Sequence, residues 1–232
     1  MRIIRLLILT ALLGMTSSLF ADTVSLTFNS VGGANSGGVY TYPYNFTVSG
    51  VNGTMTNVPM MCDTYANEIS FGESWTANVA PLTTIIQGGG GLFSGDTNAG
   101  ALYGAAGLLY LAAIGAPGAP VFSTSNAGAL NWAVWSIFDN SAPDPFNDTA
   151  LTNAFGLTLA ALADYNNGHG PYEYLLSSVY VYTPVAGSQS EGGIPQEFFG
   201  SAPPVPEPAS LALLGSGLLA LGTRLSRRFS NR

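Results

Sequence analysis

The sequence predicts an α+β fold: a single β-rich domain with about three central helices, framed by an N-terminal signal peptide and a C-terminal transmembrane helix. Three observations lead there. Polar and apolar residues alternate through the first third of the chain, Ala- and Leu-rich helical spacing takes over in the middle, and alternation returns near residue 180. No internal repeat is present, so a solenoid or propeller is not expected.

Taken in order, residues 1–21 read as a secretory signal peptide. Arg2 and Arg5 precede an apolar core from Ile3 to Leu13, and small residues Thr16, Ser17, Ser18 and Ala21 mark a cut after Ala21. Sec export and signal peptidase are the implied partners. The exported α+β domain covers 22–199. It opens with Thr23 to Phe28, alternating as a half-buried strand does. Tyr40, Tyr42, Tyr44 and Phe46 then recur at every second position, which places them on one face of a strand, with Pro43 marking an edge or bulge. Val58 to Cys62 and Ser74 to Val79 are two more expected strands.

After the glycine run Gly88 to Gly91, Thr97 to Ile114 carries Leu102, Ala105, Ala106, Leu109 and Ala113 at helical spacing. The stretch lacks basic flanks and is stopped by Gly115, Pro117 and Pro120, so a buried helix is expected rather than a membrane span. Asn126 to Phe138 is the cleanest amphipathic helix, with Leu130, Ala133, Val134, Ile137 and Phe138 on one face and Ser125 or Asn126 as its cap. A polar loop from Asp139 to Asp148 leads to a third helix, capped by Asp148, with Leu151, Phe155, Leu159 and Leu162 inward. Glu173 to Thr183 reads as a long strand and Ile194 to Phe199 as one more. Residues 200–208 form a Pro-rich linker.

Charge is distributed unusually. All six basic residues (Arg2, Arg5, Arg224, Arg227, Arg228 and Arg232) lie in the two terminal segments, so residues 22–208 carry all thirteen acids and no Lys or Arg. Such a surface repels nucleic acid and anionic lipid, and a nucleic-acid partner is excluded. The absence of lysine also excludes Lys-to-Asn isopeptide crosslinks. The single cysteine, Cys62, has no partner for an internal disulfide, so stability must come from apolar burial. An aromatic content of 11% supports a packed core despite 29 glycines and a charged fraction of only 8%.

Residues 209–232 close the chain with an uncharged apolar run from Ala209 to Gly222 and a basic end carrying Arg224, Arg227 and Arg228. As a helix the run covers about 21 Å, short of the roughly 30 Å hydrocarbon core, which suits a temporary anchor with its arginines in the cytoplasm. Just before it stands Val205-Pro206-Glu207-Pro208. Tripeptide, apolar run and Arg cluster, over 203–232, closely resemble the PEP-CTERM sorting signal. The resemblance implies recognition by an exosortase, a membrane-embedded enzyme that cuts near the motif, and delivery to the cell surface or extracellular matrix.

Candidate chemistry is sparse. Met61-Cys62-Asp63, followed by Asn131-Trp132-Ala133-Val134-Trp135, resembles the Cys and Gln-x-Ala-Ile-Trp pair of thioester-forming surface adhesin domains. Cys62 stands in the nucleophile's place, but Asn131 replaces the glutamine and is one methylene shorter. The alternative is a domain in which Cys62 is a small buried hydrophobe and the Trp-rich helix is core. The one imidazole, His169, sits in a Gly-rich turn, where it reads as a solvated residue rather than a base for Cys62. Asp139, Asn140, Asp144, Asn147 and Asp148 are oxygen ligands of the type calcium prefers, but Pro143 and Pro145 mark turn and capping chemistry. Tyr40, Tyr42 and Tyr44 offer a platform on which sugar rings of an exopolysaccharide could stack. Together these observations describe a non-enzymatic, structural or adhesive protein of the surface or biofilm matrix, with no catalytic residue, cofactor or metal. The alternatives are a covalent adhesin acting through Cys62 and a carbohydrate-binding module.

Overall fold

The computed structural model describes residues 22–33, 35–36, 38–50, 53–122, 125–139, 142, 173–190 and 195–201. Six antiparallel strands close into a barrel: β1 (Asp22–Val31), β4 (Tyr44–Gly50), β5 (Gly53–Cys62), β8 (Phe198–Gly200), β7 (Tyr180–Pro184) and β6 (Ser74–Pro81), in that spatial order and back to β1. A two-stranded ribbon of β2 (Asn35–Ser36) and β3 (Val39–Tyr40) stands in the connection from β1 to β4. Four helices are described: α1 (Leu82–Gly88), α2 (Ala99–Ala113), α3 (Ala127–Phe138) and α4 (Glu173–Leu176).

The expected α+β class is thereby corrected, since the molecule is mostly a six-stranded β-barrel with short helices on its outside. Closure is what periodicity could not reveal. It depends on β8, only three residues long, which pairs with β5 on one side and β7 on the other. Alternation marks a strand with one wet face, and it says nothing about whether the first and last strands meet.

The alternation itself is explained by position in the barrel. Val24, Leu26 and Phe28 of β1, Phe46 and Val48 of β4, and Trp75, Ala77 and Val79 of β6 point inward, while their neighbours face solvent. The end of β5 from Met60 to Cys62, β8 and the middle of β7 are covered on both faces. Met60, Cys62, Phe198 and Tyr182 fill the barrel, whereas Met61, Phe199 and Val181 point outward into a second core shared with the helices. Hence Met60-Met61-Cys62 and Phe198-Phe199 read as continuous apolar runs, as doubly covered strands do. A bulge between Phe46 and Val48 bends the β4–β5 pair, with Asn57 at φ 57° taking the left-handed conformation.

Helix α2 is buried nearly all round, from Tyr103 to Leu111, which accounts for its lack of a polar stripe. Gly107 permits that packing, because a Cβ there would come within 2.3 Å of the Leu82 side chain and 3.0 Å of that of Leu176. Helix α3 starts where expected, the Asn126 side chain accepting from Gly128 N at 2.9 Å and Ala129 N at 3.3 Å. The single strand expected over Glu173 to Thr183 is instead a helical turn followed by β7, because Leu176 is drawn into the helical core before the chain can extend.

Among the described residues no helix is long and apolar enough to cross a membrane. The signal peptide, the third expected helix and the segment 209–232 lie outside the described residues.

Candidate functional site

Three neighbouring groups carry the polar chemistry of the described residues. The first is a buried carboxyl pair. Cys62 faces Phe198 in the β5–β8 ladder, so the next residues outward, Asp63 and Glu197, are brought side by side, with Asp63 N donating to Glu197 O at 3.2 Å. Both side chains are fully buried. Glu197 accepts from Tyr103 Oη at 2.5 Å through Oε1, and from Leu92 N at 2.8 Å and Thr183 Oγ1 at 2.5 Å through Oε2. Asp63 Oδ1 accepts from Thr64 Oγ1 at 2.9 Å, and its Oδ2 has no donor among the described residues.

Burial first, and the Glu197 charge second, hold the Asp63 carboxyl well above the usual carboxylate range. A proton on Asp63 removes the repulsion between the two carboxyls. Burial and the same Glu197 charge push the Tyr103 hydroxyl up, keeping it a donor. Its oxygen also accepts from Phe93 N at 3.0 Å. The glycine run above has a steric reason here, because a Cβ on Gly91 would lie 2.2 Å from Tyr103 Oη. Two carboxyls in contact are also the parts of an acid–base pair, but neither lines the aromatic pocket described below, and both are sealed from solvent.

The second group joins Cys62 to Asn131. The Asn131 carboxamide, buried on α3, donates through Nδ2 to Cys62 O at 2.8 Å and accepts through Oδ1 from Tyr42 N at 2.8 Å. One side chain thus clips the end of β5 and the approach to β4 onto the helix. The Cys62 thiol donates to Thr64 O at 3.2 Å and accepts from Thr64 N at 3.3 Å. Burial, then the Asp63 charge, push this thiol up, and contacts with Trp135 and the Thr64 backbone offset only part of that. Such a thiol is a poor nucleophile. In the folded protein Cys62 is expected to resist a soluble alkylating reagent at pH 8 and to react fully in denaturant, which thiol counting by mass spectrometry checks.

The third group is a pocket of about 400 Å³ at one end of the barrel. Phe28, Tyr40, Tyr44, Tyr65 and Trp135 supply its rings, and Asn67, Glu68 and Gln196 its polar side chains. Tyr65 is held between Trp132 and Trp135, at ring-centroid distances of 5.4 and 5.5 Å.

Of the tyrosines read as one platform, Tyr40 and Tyr44 line this pocket, whereas Tyr42 turns away and packs edge-on against Tyr110 at 6.3 Å. The alternation fails because β3 ends at Tyr40 and β4 resumes at Tyr44, with Pro43, which has no N–H for a ladder, between them. Tyr44 is buried and donates to Tyr40 O at 2.5 Å. Cys62 and Asn131 meet through the Cys62 backbone carbonyl and the Asn131 amide. Asp139 is described; His169 and the remaining calcium-type residues Asn140, Asp144, Asn147 and Asp148 lie outside the described residues, as do Val205, Pro206, Glu207, Pro208, Arg224, Arg227 and Arg228. Among the described residues no group of three or more His, Cys, Asp or Glu side chains could hold a metal ion.

Asp63, Tyr103, Thr183 and Glu197 were not anticipated. A signal was present, because two acids abut apolar runs, Met60-Met61-Cys62-Asp63 and Glu197-Phe198-Phe199, in a domain with no Lys or Arg to neutralise them. Acids so placed can be accommodated only by donors or by a shared proton.

Comparison with known proteins bears on the C-terminal segment. The family model described as the PEP-CTERM protein-sorting motif matches residues 204–228. The chain therefore carries the signal of an exported protein sorted to the cell envelope or surface by an exosortase. No curated protein and no solved structure matches the chain.

Proposed function

We propose that the protein is a non-enzymatic structural or adhesive component of the cell surface or extracellular matrix. It is held briefly in the inner membrane by residues 209–232 and released when exosortase cuts near Pro206-Glu207-Pro208. The observation that carries this reading is the sorting motif at 204–228. Two features support it. The buried carboxyls and thiol are sealed inside the domain, and an exported surface without Lys or Arg suits a soluble, mutually repelling component of a matrix. Deleting residues 205–232 is expected to abolish surface delivery, leaving the domain in the periplasm or medium. Cell fractionation with immunodetection reads this out, and unchanged surface delivery of the deleted form would overturn the assignment.

A second reading, a covalent adhesin, is favoured by one contact, the Asn131 Nδ2 bond to Cys62 O. In that chemistry the Cys62 sulfur adds to the Asn131 side-chain carbonyl carbon and the C–N bond breaks. Ammonia leaves with the thiol proton. A surface amine or hydroxyl later attacks the thioester carbonyl, the C–S bond breaks, and the thiol is restored. Against it, both ends of the carboxamide are committed to backbone partners and the thiol is held protonated. The intact mass of the secreted protein distinguishes the two. The full mass is expected; a mass lower by one ammonia that rises by one whole methylamine on treatment with that amine would establish the thioester.

A further inference from the structure

We propose that the aromatic pocket at the end of the barrel binds a pyranose ring of an uncharged polysaccharide. This deepens the surface-component reading and rests on it. At about 400 Å³ the pocket falls within the roughly 300 to 1,000 Å³ of small-molecule sites. Its lining divides between flat rings and short polar groups. The rings of Phe28, Tyr40, Tyr65 and Trp135 can pack against the C–H faces of a sugar, and Asn67, Glu68 and Gln196 can exchange hydrogen bonds with its hydroxyls.

Three further observations point to an occupant of this kind. Tyr40 is 47% exposed, and Phe71 beside it, at 6.3 Å between ring centroids, is 58% exposed. Phe71 stacks in turn on Phe28 at 5.0 Å, so the aromatic surface runs from the pocket wall out onto its rim. An apolar shelf left in water at the mouth of a pocket marks an interaction site. Gln196 is only 6% exposed, and its Oε1 has no donor among the described residues, although its Nε2 is engaged by the carbonyls of Thr64 and Asn67. A ligand hydroxyl would satisfy that acceptor.

Charge then selects among sugars. Residues 22–208 contain no Lys or Arg, and the exposed carboxylate of Glu68 stands in the pocket lining. A uronic acid or phosphorylated sugar would meet like charge with nothing to offset it. An ammonium ion is the other ligand that aromatic rings and a carboxylate attract. The Asn67 amide, which gives one N–H to Pro195 O at 3.3 Å and keeps the other, favours the hydroxyl-rich neutral ring, since an ammonium has no use for a donor.

The test uses the protein recovered from the cell surface, titrated with soluble neutral oligosaccharides (glucans, galactans and mannans), with oligogalacturonate and with chitosan oligomers. Tryptophan fluorescence and calorimetry follow binding. At least one neutral oligosaccharide is expected to bind with a change in tryptophan emission, and the anionic series is expected not to bind. Tyr40→Ala should weaken that binding about three- to tenfold. Tyr174→Ala, which removes a still more exposed ring (84%) that does not line the pocket, should leave it unchanged. Circular dichroism checks that both variants fold. Failure of the whole neutral series, binding confined to chitosan oligomers or oligogalacturonate, or indifference to Tyr40→Ala would overturn the proposal. A protein delivered to the surface that binds no neutral sugar sinks this inference alone; one that never reaches the surface sinks the reading beneath it.

Discussion

Replacing Glu197 with alanine is expected to destabilise the domain by about 3 to 5 kcal/mol, with a fall in Tm of about 10 °C. Two effects oppose each other at this position. Removing a buried carboxylate relieves its repulsion with Asp63, but it also leaves Tyr103 Oη, Leu92 N and Thr183 Oγ1 without their acceptor. Each stranded donor costs about 1 to 3 kcal/mol, so the loss of acceptors wins. Glu197→Gln separates the two effects, because its one amide oxygen still accepts from one set of these donors while its NH₂ strands the other and the charge is gone. It should cost about 1 to 3 kcal/mol, less than the alanine variant. Glu68→Ala, on the exposed loop, should stay within about 0.5 kcal/mol. Chemical denaturation of the three variants decides the matter, and equal losses for the alanine and glutamine variants at residue 197 would show that charge rather than acceptor geometry holds the site.

Stability is also expected to fall as pH rises from about 4 towards 7. The Asp63 carboxyl is raised above its ordinary value of 3.8 by burial and by Glu197, so above that value the folded chain keeps a proton that the unfolded chain has released. Stability then declines with pH by up to about 1.4 kcal/mol per unit for one proton, until the folded-state carboxyl itself ionises. The groups around it are Glu197, Thr64 and the Cys62 thiol, with Tyr103 beyond Glu197, and none of these is a cation. Mutual repulsion among the other acids adds a slope of the same sign, so the wild-type profile alone does not isolate the pair. Asp63→Asn does, because its amide donates to Glu197 at every pH. The variant should show a flatter profile and a gain in stability at pH 7, measured by denaturant midpoints at pH 4 and 7. An unchanged slope would remove Asp63 as its source.

The legible parts of the fold were those written in neighbouring residues. Thr23 to Phe28 and Ser74 to Val79 declare strands because one face of each stays wet, and Asn126 declares a helix start because its side chain reaches its own first turn. The break at Thr41 to Pro43 was harder to read. Tyr40, Tyr42 and Tyr44 keep perfect alternation in sequence, yet the middle one is spent on α2. Glu173 to Thr183 misled for a similar reason, since the pull of Leu176 into a helical core appears only once that core exists.

The chain's destination and its export are local properties. A tripeptide, an apolar run and an arginine cluster within 204–228 suffice for them. Cys62 and Asn131 were singled out only by a resemblance to thioester domains, and the use of the carboxamide as a clip between strands was not foreseen. Tertiary structure alone decided the closure of the barrel, the meeting of Asp63 with Glu197 and the assembly of the aromatic pocket. Each joins residues far apart in sequence, as Thr64 and Glu197 are at a separation of 133. Such contacts are chosen by which strand edges and apolar faces remain to be covered after local structure has formed, and that choice is a property of the whole chain.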